Sequence, residues 1–322
     1  MTRPPTYLDV QAARDRIAGT VRRTPLIEGE ATSRGLGGPV HLKLESLQPT
    51  GSFKVRGAAN RLLALTDEER SRGVVTVSTG NHGRAVAHVG RQLGVKVTVC
   101  LSELVPANKV AALRDTGAEV IIGGAGQDEA AEHAEALREE RGLTLVHPFD
   151  DPYVIAGQGT MSLELLEQRP ELDTVIVPLS GGGLVGGVAL ALKSAKPEVR
   201  VVAVSADATP VMLRSVEAGK PVDLPEVPTL ADSLGGGIGP SNRYTLPLVR
   251  DLVDEHVMVS EDEIRRAMVH LLMEERLVAE GASAVGVAAL LGGHVSLGRA
   301  TAVIITGRNV DVRTLLDLVG GA

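Results

Sequence analysis

Thr174-Val175-Ile176-Val177-Pro178-Leu179-Ser180-Gly181-Gly182-Gly183-Leu184-Val185-Gly186-Gly187 decides the fold: a β-rich run passes through three consecutive glycines into an apolar stretch through Ala189, Leu190 and Leu192. The pattern reads as strand, tight turn and helix. Glycines lack Cβ atoms, so the backbone can close around a phosphate while amide groups and the helix dipole neutralise it. A packing turn is the alternative. The same stretch satisfies a dinucleotide fingerprint through Gly181, Gly183 and Gly186, with Asp207 following, roughly 20 residues on, near a strand end. A nicotinamide enzyme is therefore a rival, although the fingerprint falls in mid-chain and leaves the clusters described below without a task.

Outward from this stretch, other short β-rich runs alternate with helical ones: Val74-Val75-Thr76-Val77, Val95 to Val99, Val120-Ile121-Ile122, Val201-Val202-Ala203-Val204 and Ala302-Val303-Ile304-Ile305. Alternation of this kind predicts a parallel α/β architecture. Ala85, Val86, Val89 and Leu93 recur at helical spacing between the first two of these runs, and Ser260 with Glu263 forms a capping-box pattern ahead of Ile264, Met268, Leu271 and Leu272. Ligands of open parallel sheets gather at the carboxyl ends of strands, so the residues following each run carry the functional reading.

Two of those ends are polar. Ser78-Thr79-Gly80-Asn81-His82-Gly83 lies between the Val74 strand and the Ala85 helix, where helix-start amides and short polar side chains can hold a carboxylate. An ordinary turn with Ser78 or Thr79 as cap and Asn81 left-handed is the plainer reading. Thr306-Gly307-Arg308-Asn309 follows the Ala302 strand, and a hydroxyl there can hydrogen-bond a heterocyclic nitrogen; simple strand termination is the plainer reading. Before any of these strands comes Ser52-Phe53-Lys54-Val55-Arg56-Gly57-Ala58, a lysine among small residues. An amine in a confined site loses its proton by desolvation and can then form a Schiff base with an aldehyde; a solvated lysine near a helix start is the plainer reading.

Composition narrows the classes. The chain has 322 residues, 43% of them hydrophobic, enough for a substantial core. Asp and Glu outnumber Lys and Arg by 40 to 33, a net charge of −7 with no basic cluster, so nucleic acid is not an expected partner. Cys100 is the only cysteine, which excludes an intrachain disulfide and a cysteine metal cluster and fits a cytoplasmic location. No apolar run reaches the ~18 residues of a membrane span, so a soluble, unprocessed protein is expected. Aromatics make up 2% and Trp is absent, which predicts an aliphatic core and a small pocket lined by Gly, Ala and backbone.

Taken together, Ser52-Phe53-Lys54-Val55-Arg56-Gly57, Ser78-Thr79-Gly80-Asn81-His82-Gly83, Ser180-Gly181-Gly182-Gly183-Leu184 and Thr306-Gly307-Arg308-Asn309 resemble, in order and spacing, the fold-type II pyridoxal-phosphate (PLP) enzymes. Within that group the chain resembles the threonine/serine dehydratase and serine racemase branch, because Val55 follows the lysine. Thr229 to Gly239 and Asn242-Arg243 are similar to the hydroxyectoine-utilisation dehydratases within it. The resemblance implies a tryptophan synthase β-like fold of two open, mainly parallel twisted sheets with helices on both faces. It also implies a discontinuous large domain (1–72 and 150–322), a small mobile domain (73–149) and a homodimer.

By the same resemblance Lys54 carries PLP as a Schiff base, Phe53 and Asn81 contact its ring, Gly181, Gly182, Gly183 and Leu184 hold its phosphate, and Thr306 faces the pyridine nitrogen. Ser78, Thr79, Asn81 and His82 receive the carboxylate of a small amino-acid substrate. The implied activity is that of a dehydratase or ammonia-lyase turning a β-hydroxy amino acid of the threonine or serine kind, a hydroxyectoine-derived one or a 3-hydroxyaspartate into a 2-keto acid and ammonia. Amino-acid racemisation on the same scaffold is the alternative. Three departures bear on this. Thr79 stands where racemases of the branch present a serine, which weakens the racemase reading and leaves elimination untouched. Arg308 replaces a glycine and either narrows the pocket or adds an anionic contact. Ser205 stands where several relatives carry a glutamate metal ligand, so a divalent cation stays open and no metal ligand is assigned.

Overall fold

The computed structural model describes residues 3–78, 80–103, 105, 107–124 and 127–320. Thr79, one of the expected substrate contacts, lies outside the described residues. Among the described residues ten strands form two sheets. The larger has the order β1 (Leu26–Glu28), β2 (Val40–Leu44), β10 (Thr301–Ile305), β7 (Thr174–Pro178), β8 (Arg200–Ala206) and β9 (Glu255–Val259). Only its β1–β2 edge pair is antiparallel. The smaller is wholly parallel, in the order β5 (Glu119–Ile122), β4 (Val97–Leu101), β3 (Val74–Val77) and β6 (Thr144–Leu145). This is the parallel α/β architecture expected from the alternating runs, in the two-sheet arrangement that the resemblance implies.

Strands β2, β4, β7 and β10 are buried at every position. Helices cover both faces, so β7 and β10 read as largely continuous apolar runs, whereas β2 buries His41 and Lys43 between its apolar residues. The run expected from Val95 begins at Val97, because Gly94 ends the preceding Asn81–Leu93 helix in the left-handed region (φ 65°) and Val95 is spent on the turn. The expected capping box is present, with the Ser260 hydroxyl facing the Glu263 amide at the start of the Glu261–Met273 helix.

Sequence order and sheet order together locate the ligand region. In the larger sheet β7, β8 and β9 advance to one side while β10 inserts on the other side of β7; in the smaller, β3, β4 and β5 advance to one side and β6 lies on the other. Each reversal leaves a gap between outgoing connections at the carboxyl ends of the strands. Ser180–Gly183 leaves β7 and Thr306 leaves β10; Ser78–His82 leaves β3 and Val146–Pro148 leaves β6.

The Lys54–Leu63 helix enters beside these gaps and is fixed by a buried ionic network. Two residues into it, Arg56 donates to both carboxylate oxygens of Glu45 (2.8 and 2.7 Å) and to Glu164 (2.7 Å), while Lys43 donates to the other Glu164 oxygen (2.6 Å). Arg56, Glu45 and Lys43 have essentially no solvent contact. Charges this deep are tolerable only when fully paired, and the Glu45 and Glu164 carboxylates together hold Arg56 above its usual pKa range despite burial. The network joins β2, the start of the Lys54–Leu63 helix and the Pro152–Gln168 helix.

Candidate active site

Lys54 is the first residue of its helix. The segment before it is stitched to the end of β10: Phe53 N donates to Thr306 O (2.9 Å), Arg308 N donates to Gly51 O (2.9 Å), and Ser52 bridges Gly307. The partly buried amine donates to Pro148 O at 2.9 Å and lies 5.3 Å from the centroid of the Phe53 ring. Burial disfavours the ammonium and brings Lys54 down to about 8, against an opposing pull from the Glu280 carboxyl. At pH 7 on the order of one lysine in ten is then the neutral amine, far more than for an exposed lysine.

The glycine turn comes to the same place through the residue after Pro148. A Cβ added at Gly181 would collide with the Phe149 ring, and one at Gly183 would lie 2.9 Å from the Phe149 Cα. This close approach is the packing turn that the sequence offers as one alternative. Its glycines admit Phe149 at close range, and Gly182, at φ 82°, caps the Gly183–Ala195 helix with no side-chain hydrogen bond, which leaves helix-start amides free for an anion. Leu184 is buried at that helix start.

Asn81 and His82 begin the Asn81–Leu93 helix, capped by Gly80. Among the described residues the left-handed Asn81 and the Ser78 cap of a plain turn are not found: Asn81 is helical, and the Ser78 hydroxyl accepts from Gly80 N at 3.3 Å. Asn81 Nδ2 donates to Glu280 Oε1 (2.8 Å), and its Oδ1 accepts from Asn309 Nδ2 (2.5 Å). His82 Nε2 donates to Val146 O (3.0 Å), leaving Nδ1 buried without a partner. Burial, with help from the nearby Lys54 charge, depresses His82 to about 3, so it is neutral at physiological pH. His147 accepts the backbone N–H of Asp150 on Nδ1 (2.8 Å) and is likewise held down by burial.

Ser52 Oγ is a second buried, partnerless polar atom beside Lys54. An acidic amine, a glycine-lined helix start and orphaned polar atoms at Ser52 and His82 suit a phosphorylated aldehyde, so the residues present fit the cofactor that the sequence resemblance implies.

Comparison with known proteins decides the family. The profile described as Pyridoxal-phosphate dependent enzyme matches residues 17–307. The chain belongs to the pyridoxal-phosphate dependent enzymes. Among its PLP-enzyme relatives, the L-threonine ammonia-lyase of Geobacter sulfurreducens is 44% identical over 97% of this chain and 78% of that protein. The L-threonine dehydratase catabolic TdcB of Escherichia coli K12 is 39% identical over 97% of this chain and 95% of that protein. In fold the chain is similar to maize serine racemase (TM-score 0.92, 37% identity, 99% of this chain and 98% of that one). It is also similar to the T.th. threonine deaminase (TM-score 0.89, 39% identity, 95% and 99%). These PLP-enzyme matches replace the dinucleotide reading of Gly181 to Gly186.

Glu280 and Pro148 escaped the sequence reading, and Asn309 was quoted there without a role. Glu280 precedes a helix of small residues, Gly281–Leu291, a placement that looks like an ordinary acidic helix start; Pro148 takes part through its carbonyl, which no side-chain motif encodes. Arg308 is exposed and lines, with Thr50, Arg84 and His88, a cleft of about 380 Å³ beside Asn309. Ser205 donates to Leu179 O (3.1 Å), and among the described residues no group of three His, Cys, Asp or Glu side chains is placed to hold a metal.

Proposed function

We propose that this chain is a PLP-dependent dehydratase, an ammonia-lyase that converts a small β-hydroxy amino acid of the L-threonine or L-serine kind to a 2-keto acid and ammonia. The observation that carries the reading is the Lys54 amine, lowered to about 8 and bonded to Pro148 O, whose neighbour Phe149 packs on the glycine turn. The names of the similar threonine ammonia-lyases and deaminase support the substrate class.

Bound there, PLP supplies the electron sink that lets a Cα–H bond break and a β-hydroxyl leave. Lys54 is the covalent anchor, and its freed Nζ removes the α-proton as general base. The amides at Gly181, Gly182, Gly183 and Leu184 hold the phosphate. Phe53 and Asn81 would hold the ring, and Thr306, 3% exposed, would offer its nitrogen a neutral hydroxyl, which supplies no charge to keep that nitrogen protonated and so would favour elimination. Ser78, Thr79, Asn81 and His82 receive the substrate carboxylate; neutral His82 adds no charge there. Residues 73–149 move as a small domain over 1–72 and 150–322, and the enzyme works as a cytoplasmic homodimer. Ser205, whose hydroxyl donates to Leu179 O, offers no carboxylate to a divalent cation at that position.

The test is the absorption spectrum of the purified protein before and after borohydride, followed by keto-acid assays with serine, threonine and 3-hydroxyaspartate. A yellow protein bleached by borohydride, with the label on Lys54, and ammonia released from one of these substrates is expected. Lys54→Ala should lose the chromophore and roughly 10²–10⁴-fold in turnover from the missing base alone. A colourless wild type, or a fully active Lys54→Ala, rejects the reading. Racemisation without ammonia release would instead favour the activity named for the maize relative.

A further inference from the structure

The roles proposed so far leave one buried acid in this region without a task. Glu280 caps the Gly281–Leu291 helix, is 5% exposed, and faces the junction of the two sheets. Its Oε1 accepts from Asn81 Nδ2 (2.8 Å) and its Oε2 from the backbone N–H of Asn309 (3.2 Å), while its own N–H donates to Gly307 O (3.2 Å). Gly307 lies flat against the carboxyl, and a Cβ there would collide with Oε1. Asn309 Nδ2 closes the ring by donating to Asn81 Oδ1. The Asn81 amide is thus gripped at both ends by residues of the larger sheet's connections, although Asn81 itself follows a strand of the smaller one.

We propose that Glu280 is a positioning residue of the site, which holds the Asn81 amide in one orientation and sets the charge on the Lys54 amine; the inference rests on Lys54 being the cofactor anchor. The hydrogen-bonding partners of the carboxyl are neutral amides, so nothing bonded to it cancels its charge when ionised. An ionised Glu280 favours the Lys54 ammonium, and a protonated Glu280 releases the amine for bond formation.

The surroundings place both titrations in the same range. Burial, helped by Asp232 and opposed by Asn81, Asn309 and Arg84, raises Glu280 to about 7. Lys54, at about 8, also faces His82 and His147, each neutral near pH 7. Ammonium with carboxylate and amine with carboxylic acid then differ by only about tenfold in population, and the two groups titrate as a coupled pair. Glu280 can hold the proton that Lys54 must shed.

The experiment follows acetylation of the Lys54 amine by limiting acetic anhydride across the neutral and alkaline range, read by peptide mass spectrometry on the full-length protein freed of cofactor. In Glu280→Gln the amide oxygen still accepts from Asn81 while the charge is gone. Its labelling midpoint should fall by about one pH unit, raising the neutral fraction at pH 7 about fivefold. A midpoint equal to or above that of the wild type overturns the proposal. Should the variant fold poorly, the wild-type curve decides: two coupled steps are expected, and a single step at the ordinary lysine position overturns it. Because labelling needs neither cofactor nor substrate, its outcome is separate from borohydride trapping, which alone decides whether Lys54 is the anchor.

Discussion

Gly57 of the Lys54–Leu63 helix and Gly157 of the Pro152–Gln168 helix meet backbone to backbone: a Cβ on Gly157 would lie 2.8 Å from the Gly57 Cα and 2.7 Å from Arg56 O. The helix that presents Lys54 is thus seated by two absent side chains, directly beside the Arg56 ionic network.

Gly157→Ala should destabilise the protein by about 1–3 kcal/mol, because the obstruction is backbone that cannot rotate away. Thermal unfolding measures it. The displaced Lys54–Leu63 helix should also lower kcat, and an unchanged melting temperature would refute the tight crossing.

Arg56→Ala strands Glu45, which lies wholly out of solvent, and leaves Glu164 with Lys43 alone as its ion-pair partner. Removing one member of a buried network costs about 3–5 kcal/mol. Denaturant titration should show this loss together with weaker cofactor retention, since Lys54 is two residues away. A loss under about 1 kcal/mol, typical of exposed pairs, would mean the network is solvated.

Acid should weaken the fold through His82. Its folded pKa of about 3 lies below the ordinary histidine value of 6.5, so as pH falls below 6.5 the unfolded chain takes up a proton that the folded one refuses. Stability present above that pH declines as pH falls toward 3. His147, also held down, acts in the same direction. His82→Gln keeps a donor for Val146 O and should flatten the decline measured by circular dichroism; an identical decline would assign it to other groups.

Gly182→Ala forces a side chain into φ 82° and places its Cβ 2.8 Å from Met212 and 2.9 Å from Thr245. Left-handed strain and crowding should open the turn, costing about 1 kcal/mol or more in stability. PLP binding measured by absorbance should become at least about tenfold weaker, the equivalent of 1.4 kcal/mol. Retention as tight as in the wild type would place the phosphate elsewhere.

By itself the sequence determined β3, β4, β5, β7, β8 and β10, because these carry β-rich apolar runs, and it missed β1, β2, β6 and β9, which are short or interrupted by polar residues such as His41 and Lys43. It marked the glycine turn and Lys54, because anion-binding turns and flanked lysines leave local patterns. It also determined where the polar ends fall, one after each of three strands. Tertiary structure decided which ends meet. The order reversals of two sheets bring Phe149 against Gly181 and Gly183, Pro148 to Lys54, and Asn81 to Asn309 and Glu280, and no local spacing reports on strand order. Tertiary structure likewise decided the state of Glu280 and Arg56. An acid before a helix and an arginine within one look like surface residues in sequence, and only burial, which sets the cost of an unpaired charge, turns the first into a group near neutrality and the second into an anchor.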